Sequence, residues 1–303
     1  MLTIVTFISG NETMNFSILD TYFFLKDSML ADELIIFSES PQGITGAGIR
    51  EEISPGTTKY ARILSSLEIA AHENILYIDN DISPNLESLK EFITARKEDT
   101  DLYFGRIAVK NPRTFTGHLV QTDKTISHKF IRPLLWEIGA GISLPGQIFM
   151  LKRVKFLRDL PRNDTVFDDL AIGMCAVNNS YNVQRNKLIL GHEKPSETLC
   201  VLMKQRIRWA QGYYEQLKAS EGSNIFPLVL LHGIVFHVLS PLFVPLLAVS
   251  LSRGIFIAVM SVVLSCVSEF RLSRLVYSAL YFVIFPAVHA VWFAALVKNL
   301  LTG

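Results

Sequence analysis

Three short stretches of this 303-residue sequence carry side chains whose types and spacing could do chemistry. The first is Asp79-Asn80-Asp81. Two carboxylates one residue apart, in a turn after an apolar run, can share one hard cation. Oxygen ligands of this kind suit Mg2+ or Mn2+, which usually also take substrate phosphates. Asp is common in turns that bind nothing, so the pair by itself leaves a solvated turn equally open. The second is Phe167-Asp168-Asp169, ahead of a helical run over 170–177. Adjacent acids at a helix start serve as caps, and in a cleft one of them could act as a general base. The third is Gln205-Arg206-Ile207-Arg208-Trp209. Helical spacing puts Gln205, Arg208 and Trp209 on one face. An amide, a guanidinium and an indole there suit a diphosphate and a sugar ring. The same residue types also suit a helix lying at a membrane surface.

Such groups need a scaffold, and short apolar runs alternating with helical patterns supply one. Residues 3–8 read as a strand, followed by a loop at Ser9-Gly10-Asn11-Glu12 and a helix over 16–25. A second strand at 33–37, a helix over 59–72 and a third strand at 74–78 follow, with the acid pair at the carboxyl end of the last. Ser83-Pro84 reads as the opening of another helix. This alternation predicts an α/β fold with a mostly parallel sheet covered on both faces. Ligands of such sheets sit at the carboxyl ends of the strands, where Asp79 and Asp81 stand.

Charge is spread unevenly. The 29 Lys and Arg against 28 Asp and Glu give a net charge of +1. Only Arg253, Glu269, Arg271, Arg274 and Lys298 are charged between 225 and 303, so the first 224 residues hold 25 basic and 27 acidic side chains. Charge-free runs of 28, 15 and 23 residues cover 225–252, 254–268 and 275–297. About 20 apolar residues cross a bilayer core. The division predicted is therefore a front domain over 1–224 and a membrane region over 225–303, with spans at about 226–250, 254–269 and 275–297. The basic turn at 269–274 should face the cytoplasm, and with it the front domain. A buried helical bundle is the alternative. His232, His237 and His289 in the spans are either packed neutral groups or functional ones, and Pro227, Pro241, Pro245 and Pro286 suggest kinks.

Disorder is excluded by the hydrophobic content, and the near-neutral charge argues against nucleic acid as a partner. Cys175, Cys200 and Cys266 cannot build a disulfide framework. The first residues lack the basic region of a signal peptide.

In this order the motifs resemble the membrane-integrated family 2 glycosyltransferases, the group containing hyaluronan, chitin and cellulose synthases. The resemblance runs over most of 1–224. Lys59-Tyr60-Ala61, then Tyr77-Ile78 with Asp79-Asn80-Asp81 and Ile82-Ser83-Pro84, is similar to that family's helix, strand and D-x-D. Gly146 to Arg153 resembles its glycine-led acceptor-side strand, and Phe167-Asp168-Asp169 its acidic motif, with Asp168 where Glu is usual. His192-Glu193-Lys194-Pro195-Ser196-Glu197-Thr198 also looks like the family. Gln205 to Trp209 matches Q-x-x-R-W, 36 residues past Asp169.

The resemblance implies a GT-A-type, Rossmann-like domain followed by a bundle of about three transmembrane helices. It implies an inverting, metal-dependent hexosyltransferase that moves sugar from a UDP-sugar to a growing polysaccharide. The chain would be a multi-pass protein of the cell membrane with its catalytic domain cytoplasmic. Mg2+ or Mn2+ would bind Asp81 and Asp79, and the nucleotide and its diphosphate would meet Glu39, Lys59, Asp79, Gln205 and Arg208. Asp169 would be the catalytic base, with Trp209, Asp168 and Gly146 on the acceptor side. The Asp-rich turn usual after the second strand is Phe37-Ser38-Glu39-Ser40 here, which leaves Glu39 as its one acid. Three spans would need oligomerisation to enclose a polysaccharide. Transfer of a single sugar to a membrane lipid is therefore the alternative, and a non-catalytic membrane partner a lesser one. The sequence does not identify the sugar, and residues 106–138 resemble nothing informative.

Overall fold

The computed structural model describes residues 1–10 and 12–302, and Asn11 of the expected loop lies outside them. The chain runs β1 (Leu2–Phe7), α1 (Phe16–Asp27), β2 (Ala31–Ser38), β3 (Ile49–Ile53), α2 (Lys59–Ile69), β4 (Asn74–Ile78), β5 (Ile82–Pro84), α3 (Leu86–Thr94) and β6 (Leu102–Val109). It continues with α4 (Phe115–Thr125), a π-helical stretch (Ile126–Ile131), α5 (Arg132–Glu137), β7 (Ile148–Lys152), α6 (Arg153–Asp159), α7 (Asp168–Asn178), β8 (Val183–Glu193) and α8 (Leu199–Ser220). The last part is α9 (Phe226–Gly233), a second π-helical stretch (Ile234–Leu239), α10 (Ser240–Ser250), α11 (Arg253–Val267) and α12 (Leu272–Thr302). These elements form two compact units, 1–108 with 142–193 and 109–141 with 194–303. The expected boundary near 224 therefore falls inside the second unit.

The first unit is built on one sheet of order β3-β2-β1-β4-β7-β6-β8-β5. β3, β2, β1 and β4 are parallel, and β7 joins β4 antiparallel. β1 is buried along its whole length, as a central parallel strand covered on both faces must be. Phe37, Phe7, Tyr77 and Phe149 stack ring on ring across β2, β1, β4 and β7 at 6.1, 6.0 and 4.8 Å. Helix starts follow capping chemistry: Asn15, Thr58 and Asn85 each accept a backbone N–H of the first turn of α1, α2 and α3. Ser83-Pro84 does not open a helix. Ile82–Pro84 is a strand paired antiparallel with Gly191–Glu193, and α3 starts two residues later at Leu86 behind its Asn85 cap. At this edge of the sheet, proline costs no ladder bond.

The second unit is helical. Val109, Leu119, Val120, Leu202, Tyr281, Phe285 and Val288 form a buried cluster in it, so the α4 segment packs with α8 and α12. Inside it Arg206 Nη2 lies 2.6 Å from Asp123 Oδ2, and the Tyr281 hydroxyl donates to Asp123 Oδ1 at 2.9 Å. Helices occupy all three charge-free runs. Among the described residues only α12 is long and apolar enough to cross a membrane, while α11 has 15 residues. Pro227 lies in the first turn of α9, and Pro245 and Pro286 lie inside α10 and α12. His232, His237 and His289 are buried, and the His237 ring stacks on Trp292 at 3.7 Å.

Candidate functional site

The D-x-D turn is held from within. Asn80 is buried, its Oδ1 accepts the Asn15 N–H at 2.8 Å and its Nδ2 donates to Thr13 O at 3.0 Å. Asn15 Nδ2 in turn donates to Asn80 O and Ile82 O at 2.9 and 2.7 Å. Pinning the middle residue fixes the acids on either side at the end of β4. Asp81 is exposed, whereas Asp79 is mostly covered.

Lys59, first residue of α2, gathers the other groups. Its Nζ lies 2.8 Å from Asp79 Oδ1 and 3.1 Å from Asp168 Oδ2, and donates to Gly146 O at 2.7 Å. It also stands 5.8 Å over the Phe7 ring, at the edge of the aromatic stack. Burial works against the lysine's charge, but Asp168 and Asp79 overcome it and hold the ammonium protonated well above its usual range. Burial raises the Asp79 carboxyl to about 7 against the pull of Lys59, and the charges of Asp81 and Asp168 add to the rise.

Asp168 and Asp169 occupy the first turn of α7, where the helix dipole favours carboxylates. Backbone contact sets this turn against the chain before β7. A Cβ on Gly146 would sit 3.0 Å from Asp169 Cβ, and one on Gly173 would sit 2.1 Å from Ile142 O. Glycine at both positions lets α7 lie directly on the 142–146 strand approach, which is how Asp169 comes beside Gly146.

The structure thus brings Lys59, Asp79, Gly146, Asp168 and Asp169 together. Glu39 is engaged elsewhere, with Oε1 at 3.5 Å from Arg62 Nη2. Arg62 is 1% exposed and donates to Ile8 O, Thr57 Oγ1 and Ser54 O at 2.8, 3.0 and 3.1 Å. Sequence reading missed this arginine, although it stands three residues after Lys59 on the same face of α2. Lys59 itself is bound to carboxylates. Gln205, Arg208 and Trp209 belong to α8 in the second unit. There Arg206, buried and one residue after Gln205, lies 4.4 Å from the Trp209 ring and 5.4 Å from Phe285. A second arginine two positions before Arg208 and a lone acid at Asp123 within a basic segment were the available signals.

The donor set can accept a hard cation. Asp79 Oδ1 and Asp168 Oδ2 are buried oxygens that face the Lys59 ammonium without a hydrogen bond of good geometry, so a cation bound there would compete with Lys59, while exposed Asp81 stands free of that pairing at the same turn. No group of three or more His, Cys, Asp or Glu among the described residues is placed to hold a metal by itself. Such an open donor set matches Mg2+-type sites completed by water and substrate phosphate.

Residues 74–295 match the family described as Glycosyl transferase family group 2. No curated protein matches the chain. Among solved structures, the chain is similar to the mannosyltransferase PcManGT from Pyrobaculum calidifontis in complex with GDP-Man and Mn2+. That likeness has 15% identity and a TM-score of 0.55 over 98% of this chain and 86% of that one. It is also similar to glucosyl-3-phosphoglycerate synthase from Mycobacterium tuberculosis in complex with Mn2+, UDP and phosphoglyceric acid. Here identity is 17% and the TM-score 0.48, over 69% of this chain and 76% of that one.

Proposed function

Because this chain belongs to glycosyl transferase family group 2, we propose that it moves a sugar, with inversion, from a nucleoside-diphosphate donor to an acceptor at a membrane surface. The supporting observation is the Lys59–Asp79–Asp168 cluster beside Gly146 and Asp169 at the carboxyl end of β4. Lys59 keeps the two like charges of Asp79 and Asp168 close together. Asp79 and Asp81 are the cation ligands in this reading, and Mg2+ or Mn2+ there would offset charge on the departing diphosphate. The mannosyltransferase of similar fold was solved with GDP-Man and Mn2+, which supports a metal and a nucleotide sugar here. The UDP preference rests on the sequence resemblance, as do the diphosphate roles of Gln205 and Arg208 and the acceptor role of Trp209.

Asp169 is the base. It takes the proton of the acceptor hydroxyl as that oxygen bonds to the anomeric carbon, and the bond from that carbon to the diphosphate breaks on the opposite face. Asp169→Asn should lower transfer from a radiolabelled nucleotide sugar by about 10²- to 10⁴-fold. A full rate in that variant refutes the assignment. A panel of UDP- and GDP-sugars, read by release of nucleoside diphosphate, identifies the donor.

The acceptor is a growing polysaccharide or a single membrane lipid. Exposed apolar faces on α10, α11 and α12 favour a lipid surface as the place of reaction, including Val249 at 90% and Val283 at 73% exposure. Product length separates the two acceptors: a polymer ladder or a single glycolipid.

A further inference from the structure

We propose that Gln147 and Glu193 form the wall against which the donor sugar lies, and that this wall selects neutral hexoses over uronates. The proposal rests on the sugar-transfer reading above and names the donor class for that site.

The first argument is position. In the antiparallel pair of β4 with β7, Ile78 faces Ile148. The pairing carries on one residue further, where the Asp79 N–H donates to Gln147 O at 2.9 Å. Gly146, one residue earlier, accepts from Lys59 Nζ at 2.7 Å and lies against Asp169. The step from 146 to 147 therefore runs from the proposed base to a proposed cation ligand. A donor must span the same interval, with its diphosphate at the cation and its anomeric carbon towards the base. Its sugar ring then passes Gly146 and Gln147, and both are partly open to solvent.

The second argument is the partner of Gln147. Its Nε2 donates to Glu193 Oε2 at 3.0 Å. β6 lies between β7 and β8 in the sheet, so this bond belongs to no strand ladder. Glu193 is the last residue of β8 and pairs with Ile82, which follows Asp81 directly. The amide and the carboxylate thus stand beside both acids of the D-x-D turn. Glu193 was part of the motif 192–198 to which the sequence attached no role, and all of these groups lie within the first unit.

The third argument is chemistry. Glu193 is 8% exposed, and burying a carboxylate is costly where an apolar side chain would serve to join strands. An ionised carboxylate only accepts hydrogen bonds, whereas an amide both donates and accepts. Together they match the hydroxyls of a hexose. A uronate would bring its own carboxylate against Glu193, in a site where Asp79, Asp81, Asp168 and Asp169 already outnumber the Lys59 ammonium. Like charges set against each other in this way reject the wrong ligand.

The test uses the full chain with Mn2+ and two matched pairs of donors, UDP-glucose with UDP-glucuronate and GDP-mannose with GDP-mannuronate. Binding is read by calorimetry and turnover by release of nucleoside diphosphate, with UDP and GDP alone as controls. The unaltered chain should favour the neutral member of its pair by about 10²-fold or more. Glu193→Gln removes the charge at nearly the same shape. It should shrink that preference by about tenfold, through tighter uronate binding, and leave affinity for the bare diphosphate within about twofold. Gln147→Ala should weaken the neutral nucleotide sugar but not the bare diphosphate, and it decides the matter if Glu193→Gln does not fold. Equal weakening of every ligand, bare diphosphate included, means that the pair only braces the strand ends and overturns the proposal. So does a preference of the unaltered chain for the uronate. A binding ratio that shifts as stated, without turnover of any donor, keeps the wall and removes the sugar-transfer reading. A chain that binds no nucleotide sugar removes both.

Discussion

At Asp79, burial and the charges of Asp81 and Asp168 outweigh the pull of Lys59 and bring the carboxyl to about 7. A cation binding there must displace a proton at any pH below that value. Mn2+ affinity, measured by calorimetry, should therefore fall as pH drops from 7 towards 5, at up to tenfold per unit. Flat affinity across this range would mean that Asp79 is not a ligand. The stability sign is opposite. A carboxyl with a raised native pKa binds more protons in the folded state, so its contribution is present at low pH and is lost as pH rises through about 7. Metal-free protein should thus gain from acidification between pH 7 and 5 at this group, and saturating Mn2+ should remove the gain. Asp79, Asp168 and Asp169 were legible as acids at element ends. That Lys59 ties two of them together was not, because the tie depends on β7 bringing Gly146 alongside β4. At the second-strand turn Glu39 was legible as the one acid, whereas its ion pair with the buried Arg62 was not.

Among the elements, α4 shows why a segment can resist sequence reading. Residues 109–141 lack a strong apolar period, and their partners on α12 lie more than 150 positions away. Burial opposes the charge of Asp123, but Arg206 and the Tyr281 hydroxyl hold its carboxyl below the usual range. Asp123→Ala leaves Arg206 buried without that carboxylate and should destabilise the protein by about 3 kcal/mol in urea unfolding. The same change should alter Trp209 fluorescence, since Arg206 lies against that ring. A loss under about 0.5 kcal/mol would place the pair among weak surface contacts. The strands at 74–78 and the helix after Lys59 were readable because strand burial and capping are local. β5 was misread because Ser-Pro is a helix-start signal locally, and only the long-range partner β8 makes it a strand.

For the whole molecule, the even net charge hides a partition that follows the fold rather than the chain. Splitting at 224 gave a front of −2, whereas the structural units carry −7 and +8. Binding to phosphatidylglycerol vesicles should weaken with added salt, because screening shortens the reach of exposed charges, while binding to phosphatidylcholine alone should change little. Equal salt response on both lipids would separate the basic unit from membrane affinity. The discontinuity of the units reaches into the order of synthesis. Leu119, Val120 and Asp123 are made long before Tyr281, Phe285 and Val288, so a nascent chain carries α4 without its cover until the last helix emerges. A chain cut at 224 to free a catalytic part would be fixed in that unfinished state, with Leu119 and Val120 of α4 bared. Cutting the chain where charge runs out should therefore cost stability that the full chain has.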